Sequence, residues 1–300
     1  MDYTLIIPHR NSSILLERLL KSVGAHDGLQ IIVVDDNSTH EEVASLVQLQ
    51  INYGFELHSN EGKYAGGARN TGTKLAKGKW LIYADADDYF VDGFWELLDK
   101  HYDCEVDVVF FNVCSFVSDT GDKANRDHHI RWLFKKWAET KDENYFRCMY
   151  LVPWGKVYSR KFVEKHNIRF DETIAGNDMK FAVRCGVEAD RISIVDEVFY
   201  VCTVSAGSIT TVVSKDRHEA KFQATLSTND YLRDNGMSKY QVSVLYFIAK
   251  SFQFGYEYFL HVIKECIKHR SNFFVGISKI RHYRKVLEDR QNPRYSNKRR

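Results

Sequence analysis

A chain of 300 residues with 44% hydrophobic side chains, 14% aromatics and only three prolines can bury a sizeable core, which excludes a disordered polymer or a linker-rich assembly. Net charge is +2, yet residues 250–300 carry 13 Lys/Arg against 4 Asp/Glu, a local charge of +9, and the remainder stands at −7. The basic character is terminal and points to an anionic surface as its partner, with no nucleic acid expected.

The opening "MDYTLIIPHRN" has a short apolar run broken by Pro8 and no leader pattern, so a cytoplasmic location is expected. Six scattered cysteines without a CxxC pair read as reduced and mostly buried.

In chain order, "YTLIIP" (3–8) reads as a strand and 11–24 as an amphipathic helix, capped by Asn11 to Ser13 and stopped at Gly24. "LQIIVV" (29–34) is a fully apolar strand ending in "DDNS", and the three elements make one βαβ unit. A helix over 40–50, a strand over 55–58, a Gly-rich loop entering a helix that stops at Gly78, and a strand over 79–83 follow. "FWELLDKHY" is then helical and 106–113 a strand. This alternation predicts an α/β fold, a mostly parallel sheet with helices on both faces. Past residue 215 long aromatic-rich helices form a C-terminal extension, so the chain divides into 1–215 and a basic helical region over 216–300. Residues 240–267 read as one buried or interfacial helix, since Lys250 and Glu257 interrupt any membrane span.

Two strands end in acidic clusters, Asp35/Asp36 and Asp85/Asp87/Asp88. In open α/β sheets ligands bind beyond the carboxyl ends of the strands, so both clusters point to one crevice. If "YADADD" is extended, Asp85 and Asp87 share a face and Asp88 faces away as a cap. Two carboxylates ~6 Å apart repel by roughly 3 kcal/mol at an effective dielectric of ~20, so the pair calls for a cation such as Mg²⁺ or Mn²⁺ bridged to a diphosphate. The competing reading is a solvated Asp-rich turn.

"IIPHRN", "VVDDNS", "NEGKYAGGARNTGTKLAKGKWLIYADADD" and "PWGKVYSRKFVEKHNIRFDETIAGNDMKF" resemble, in order and spacing, the family 2 glycosyltransferases of GT-A (Rossmann-like) fold, over roughly residues 3–210. The resemblance implies an inverting enzyme that moves a sugar from a nucleotide donor, UDP-linked, to a glycan or lipid-linked oligosaccharide. It places Asp36 on the uracil or ribose near the loop from Pro8 to Asn11, and Asn60, Gly62 and Arg69 along the nucleotide pocket. Asp85 would meet ribose or metal, Asp87 would hold Mn²⁺ or Mg²⁺, Asp178 would be the general base, and Trp154 would stand near the acceptor. Two departures are His9–Arg10, where the family often has Thr or Ser and then Tyr, and Asn177, which replaces an acidic residue before the base. Asp178 also reads as an N-cap, "SAGSITT" (205–211) equally as a loop near the diphosphate or an ordinary turn, and His218 as a surface histidine rather than a third metal ligand. The C-terminal region is read as contacting acceptor, the inner face of the cell membrane or a second copy of the chain. Two other readings stay open: a sugar-phosphate nucleotidyltransferase, disfavoured because "PHRNSS" lacks a glycine loop, and a nucleotide-sugar-binding subunit without turnover.

Overall fold

The computed structural model describes residues 2–101, 105–205 and 214–276. The leading half alternates as expected: β1 (Tyr3–His9), α1 (Ser13–Val23), β2 (Leu29–Asp35), α2 (His40–Tyr53), β3 (Glu56–Ser59), α3 (Tyr64–Leu75), β4 (Trp80–Tyr83), β5 (Tyr89–Phe90) and α4 (Phe94–His101). Next come β6 (Val108–Val117), α5 (His128–Thr140), α6 (Glu143–Met149), β7 (Lys156–Ser159), α7 (Arg160–Lys165), α8 (Met179–Glu188) and β8 (Ile192–Val204). Then follow α9 (Lys215–Asp234), α10 (Leu245–Ser251) and α11 (Tyr256–Lys268).

The sheet is ordered β3-β2-β1-β4-β7-β6-β8-β5. β7 is antiparallel to both β4 and β6, and β5 to β8, so the six remaining strands share one direction. Their carboxyl ends therefore meet at one edge. Apolar strands and the α1 stripe of Leu16, Leu19, Leu20 and Val23 form the main core. Five cysteines are free, and all but Cys114 are buried; Cys104 lies outside the described residues.

α3 lies against this core through glycines. A Cβ on Gly66 would meet the Asp171 carbonyl oxygen at 2.0 Å, and one on Gly72 would meet Ile6 Cγ2 at 2.4 Å. Asn70 then straps the chain across the gap: its Nδ2 donates to the Phe170 carbonyl (3.0 Å) and its Oδ1 accepts from the Phe170 N–H (2.9 Å). The segment after Phe170 is thereby fixed beside α3.

The C-terminal region differs from expectation. The run 240–267 is not one helix: Gly255 adopts φ 100°, a conformation open chiefly to glycine, and separates α10 and a short 3₁₀ turn (Phe252–Phe254) from α11. The break lets α10 and α11 fold together on α9 around Phe222, Leu226, Val244, Phe247, Tyr258, Val262 and Cys266. His218 belongs to this cluster. It is buried, with Nδ1 2.8 Å from the Tyr258 hydroxyl and Phe247 and Phe254 around it, rather than lying on the surface. No helix among the described residues is long and apolar enough to cross a membrane.

Gly66→Ala, which in an isolated helix would gain up to ~1 kcal/mol of propensity, should instead destabilise the protein by about 1–3 kcal/mol, because the methyl strikes backbone. Urea unfolding of the two proteins measures the sign.

Candidate active site

The strand edge gathers the predicted carboxylates. Asp36 follows β2, is buried, and accepts 2.7 Å from Asn60 Nδ2. Asn60 in turn accepts from the Gly62 N–H (2.9 Å) and donates to the Tyr64 carbonyl (3.0 Å), which shapes the turn into α3. At Gly62 a Cβ would fall 2.6 Å from Glu172, whose carboxylate also accepts from the Lys63 N–H (3.0 Å). Asp36, Asn60 and Gly62 are thus one connected corner. Pro8 sits opposite Val34 at the end of β1, and the next residue, His9, is buried and spans 3.3 Å to Asp35. Arg10 is exposed.

Residues 85–88 are not extended. The Asp88 N–H donates to the Asp85 carbonyl (3.0 Å), closing a turn that brings carboxylate oxygens of Asp85, Asp87 and Asp88 all within 4.8 Å of one another. Asp88 therefore faces into the cluster, correcting the expectation that it turns away as a cap. It is wholly buried and accepts from the Thr203 N–H (2.6 Å), the Tyr200 hydroxyl (3.0 Å) and Arg126 Nη1 (3.2 Å). Burial pushes its acid up, with Asp87 and Asp85 adding and Arg126 opposing.

Asp87 is the free member. Its backbone carbonyl is clamped by Arg18 Nη2 and the Thr203 hydroxyl, both at 2.5 Å, but no side chain among the described residues hydrogen-bonds its carboxylate. Burial raises its pKa and Asp85 adds to the rise, against Arg126. Asp85 is shared: Oδ1 accepts 2.6 Å from Arg69, and Oδ2 lies 3.6 Å from Arg126. A partly exposed carboxylate with no side-chain donor on it among the described residues, beside a second, shared one, is a donor set that suits a hard divalent ion, which takes one or two carboxylates plus phosphate oxygens.

Arg69 joins this cluster to the predicted base. The guanidinium is buried over the Phe170 ring, and its second branch donates 3.0 Å to Asn177 Oδ1, next to Asp178. Asp178 occupies the N-cap position of α8, yet its side chain accepts no helix N–H, so capping does not explain it. Burial raises its pKa and Asp85 adds, while Arg69 opposes; Asn177, in place of an acid, supplies the amide that Arg69 grips.

Arg126, Tyr200 and Thr203 escaped the sequence reading. A lone Arg in a polar loop after β6 carries no local pattern, and only the alignment of β6 with β8 sets it beside Asp88. Trp154 is 4% exposed, under the Arg126 guanidinium (5.5 Å) and stacked on Tyr200 (5.6 Å). Of 205–211, only Ser205 lies within the described residues.

A sheet of this order with acidic groups past β2 and β4 defines the GT-A class of α/β fold. The glycosyl transferase family 2 profile matches residues 4–166, and the chain belongs to that family. It is 23% identical over 223 residues to the putative glycosyltransferase EpsH of Bacillus subtilis, covering 70% of this chain and 62% of EpsH. It is 25% identical over 223 residues to TarS of Staphylococcus aureus, a poly(ribitol-phosphate) β-N-acetylglucosaminyltransferase, covering 69% of this chain and 36% of TarS. The chain thus spans less than two thirds of either relative. The solved TarS 1–349 with UDP-GlcNAc superposes at a TM-score of 0.61 with 19% identity, over 98% of this chain and 81% of that one. A mannosyltransferase of Pyrobaculum calidifontis, solved with GDP-Man and Mn²⁺, gives 0.53 with 13% identity, over 98% and 88%.

Lys156, in the same "PWGK" stretch as Trp154, is wholly buried; its Nζ donates 2.7 Å to the Tyr150 carbonyl and lies 4.4 Å from the Tyr150 ring centroid. Burial pushes its amine down to about 7, against the pull of Cys185 and Asp178. The folded state releases this proton near pH 7 while the unfolded state holds it to about 10.4, so stability from this group rises with pH across that window, by at most ~1.4 kcal/mol per unit. Denaturant unfolding at several pH values should show that rise, and Lys156→Met should flatten it.

Proposed function

We propose that the protein is an inverting, metal-dependent glycosyltransferase that moves a sugar from a nucleotide donor, UDP-linked, to a hydroxyl of a glycan or lipid-linked oligosaccharide in cell-surface polysaccharide synthesis. Residues 1–215 are its donor-binding and catalytic unit. The observation that carries the reading is the Arg69 fork, which ties Asp85 beside Asp87 to Asn177 beside Asp178. The complex of TarS with UDP-GlcNAc supports uridine as the base, and the name of a Campylobacter jejuni relative, GalNAc(5)-diNAcBac-PP-undecaprenol β-1,3-glucosyltransferase, supports a lipid-linked acceptor.

Asp87 and Asp85 would hold Mn²⁺ or Mg²⁺, which when bound stabilises the charge on the departing diphosphate. Asp36 accepts from a base N–H or ribose hydroxyl, and the Asn60–Gly62 turn bounds that pocket. Asp178, with a raised pKa and no side-chain donor on it among the described residues, takes the proton of the acceptor hydroxyl as its oxygen bonds to the anomeric carbon and the bond to the diphosphate breaks. A single displacement from the face opposite the leaving group inverts that carbon. Asp178→Asn should retain UDP-sugar binding by thermal shift and lose transfer by about 10²–10⁴-fold, whereas Asp87→Asn should lose the Mn²⁺-dependent part of the shift. Retained transfer in Asp178→Asn would overturn its assignment, and donor binding without turnover in the unaltered protein would leave a binding subunit.

The C-terminal region is assigned to an anionic lipid surface. α11 buries Tyr258, Val262 and Cys266, but Tyr256, Leu260 and Ile267 form a second, exposed stripe at i, i+4 and i+11, continued by exposed Phe252 and Phe274. Exposed Lys264 and Lys268 accompany it, and residues 277–300 add a sequence charge of +7. Apolar side chains with cations alongside suit the headgroup region of anionic bilayers. Full-length protein should sediment with phosphatidylglycerol vesicles and not with phosphatidylcholine alone, and Leu260→Glu/Ile267→Glu should release it. A wild-type protein that ignores both, or a stripe that instead mediates dimerisation in solution, refutes the lipid assignment.

A further inference from the structure

Three aspartates packed within 4.8 Å need positive charge, and the structure supplies it from two different places. Arg69 serves Asp85 and, through Asn177, the base segment. Arg126 serves the other side. Its Nη1 donates to Asp88 Oδ1 (3.2 Å) and the Thr203 carbonyl (2.7 Å), its Nη2 lies 3.6 Å from Asp85, and its backbone N–H donates to Ser115 Oγ (3.0 Å). Trp154 underlies the guanidinium and stacks on Tyr200, whose hydroxyl donates to Asp88. Arg126 is therefore held in place by β6, β8 and the segment before β7, independently of any ligand.

We propose that Arg126 is the resident counter-cation of the acidic turn and that it makes divalent-cation binding depend on the nucleotide. This rests on the reading of Asp87 and Asp85 as metal ligands. With both guanidiniums in place, the five side chains carry a formal charge of −1. That is a weak attraction for a strongly hydrated dication. A nucleoside diphosphate brings oxygens that both ligate the metal and offer Arg126 a second anion, so donor and metal enter together. Without Arg126 the remaining four side chains carry −2, and metal no longer waits for nucleotide. Arg126 thus acts through the carboxylates as a positioning residue.

The test is Mn²⁺ binding, followed by the electron paramagnetic resonance of free Mn²⁺, with and without UDP. The unaltered protein should bind Mn²⁺ weakly alone and at least tenfold more tightly with UDP. Arg126→Gln should bind Mn²⁺ alone at least tenfold more tightly than the unaltered protein, shrinking the gain from UDP, and Arg126→Lys should restore the dependence. Unchanged or weaker Mn²⁺ binding by Arg126→Gln overturns the proposal. If Arg126→Gln does not fold, Asp88→Asn is the reciprocal test: with Asp88 neutral, Arg126 falls wholly on Asp85, and Mn²⁺ binding in the presence of UDP should weaken about tenfold; unchanged affinity overturns the proposal. Failure of the metal reading looks different: Mn²⁺ then binds no better with UDP, and Asp87→Asn changes nothing.

Discussion

Like charges at close range are the constraint on which this site is built. Asp85, Asp87 and Asp88 are held by a single turn, and everything around that turn answers to their repulsion. Arg69 enters from α3, Arg126 from the loop after β6, and Arg18 from α1 grips the backbone of the turn itself. Donors from β8 occupy Asp88 so fully that it becomes part of the wall. One carboxylate, on Asp87, is left with no hydrogen-bonding side chain among the described residues.

The reason these groups can meet is topological. Inserting the antiparallel β7 between β4 and β6 keeps the flanking strands co-directional, so acidic turns after β2 and β4 share an edge with the ends of β6 and β8. Asn70, strapped to Phe170, then brings the segment with Asp178 back over α3.

Much of this was legible in the sequence because it is local. Apolar runs ending in Asp-rich turns disclose β2, β4 and the edge they define, whereas the glycines read as a loop entering a helix lie inside α3 itself, where they permit its close packing. The failures share a cause. Pleat alternation holds only for an extended strand, and at residues 85–88 a backbone hydrogen bond closes a turn that carries Asp88 to the side of Asp85 and Asp87. Gly255 is inconspicuous inside an apolar run, yet its positive φ is what lets α10 and α11 fold back on each other. Arg126 meets Asp88 across 38 positions of sequence, and no local pattern encodes such a meeting. His218 looked superficial because its neighbours in sequence are charged, whereas its neighbours in space are aromatic.

The close seat of α3 has a consequence for how such a site can diverge. Gly66 and Gly72 leave no room for a single added carbon against the Asp171 backbone and Ile6, so that flank tolerates almost no drift. In the loop bearing Arg126, by contrast, Asp119, Thr120, Gly121 and Lys123 are exposed. One flank of the acidic turn is thus closed to added side-chain volume, whereas the tip of the Arg126 loop presents side chains that can be exchanged without touching the packed face.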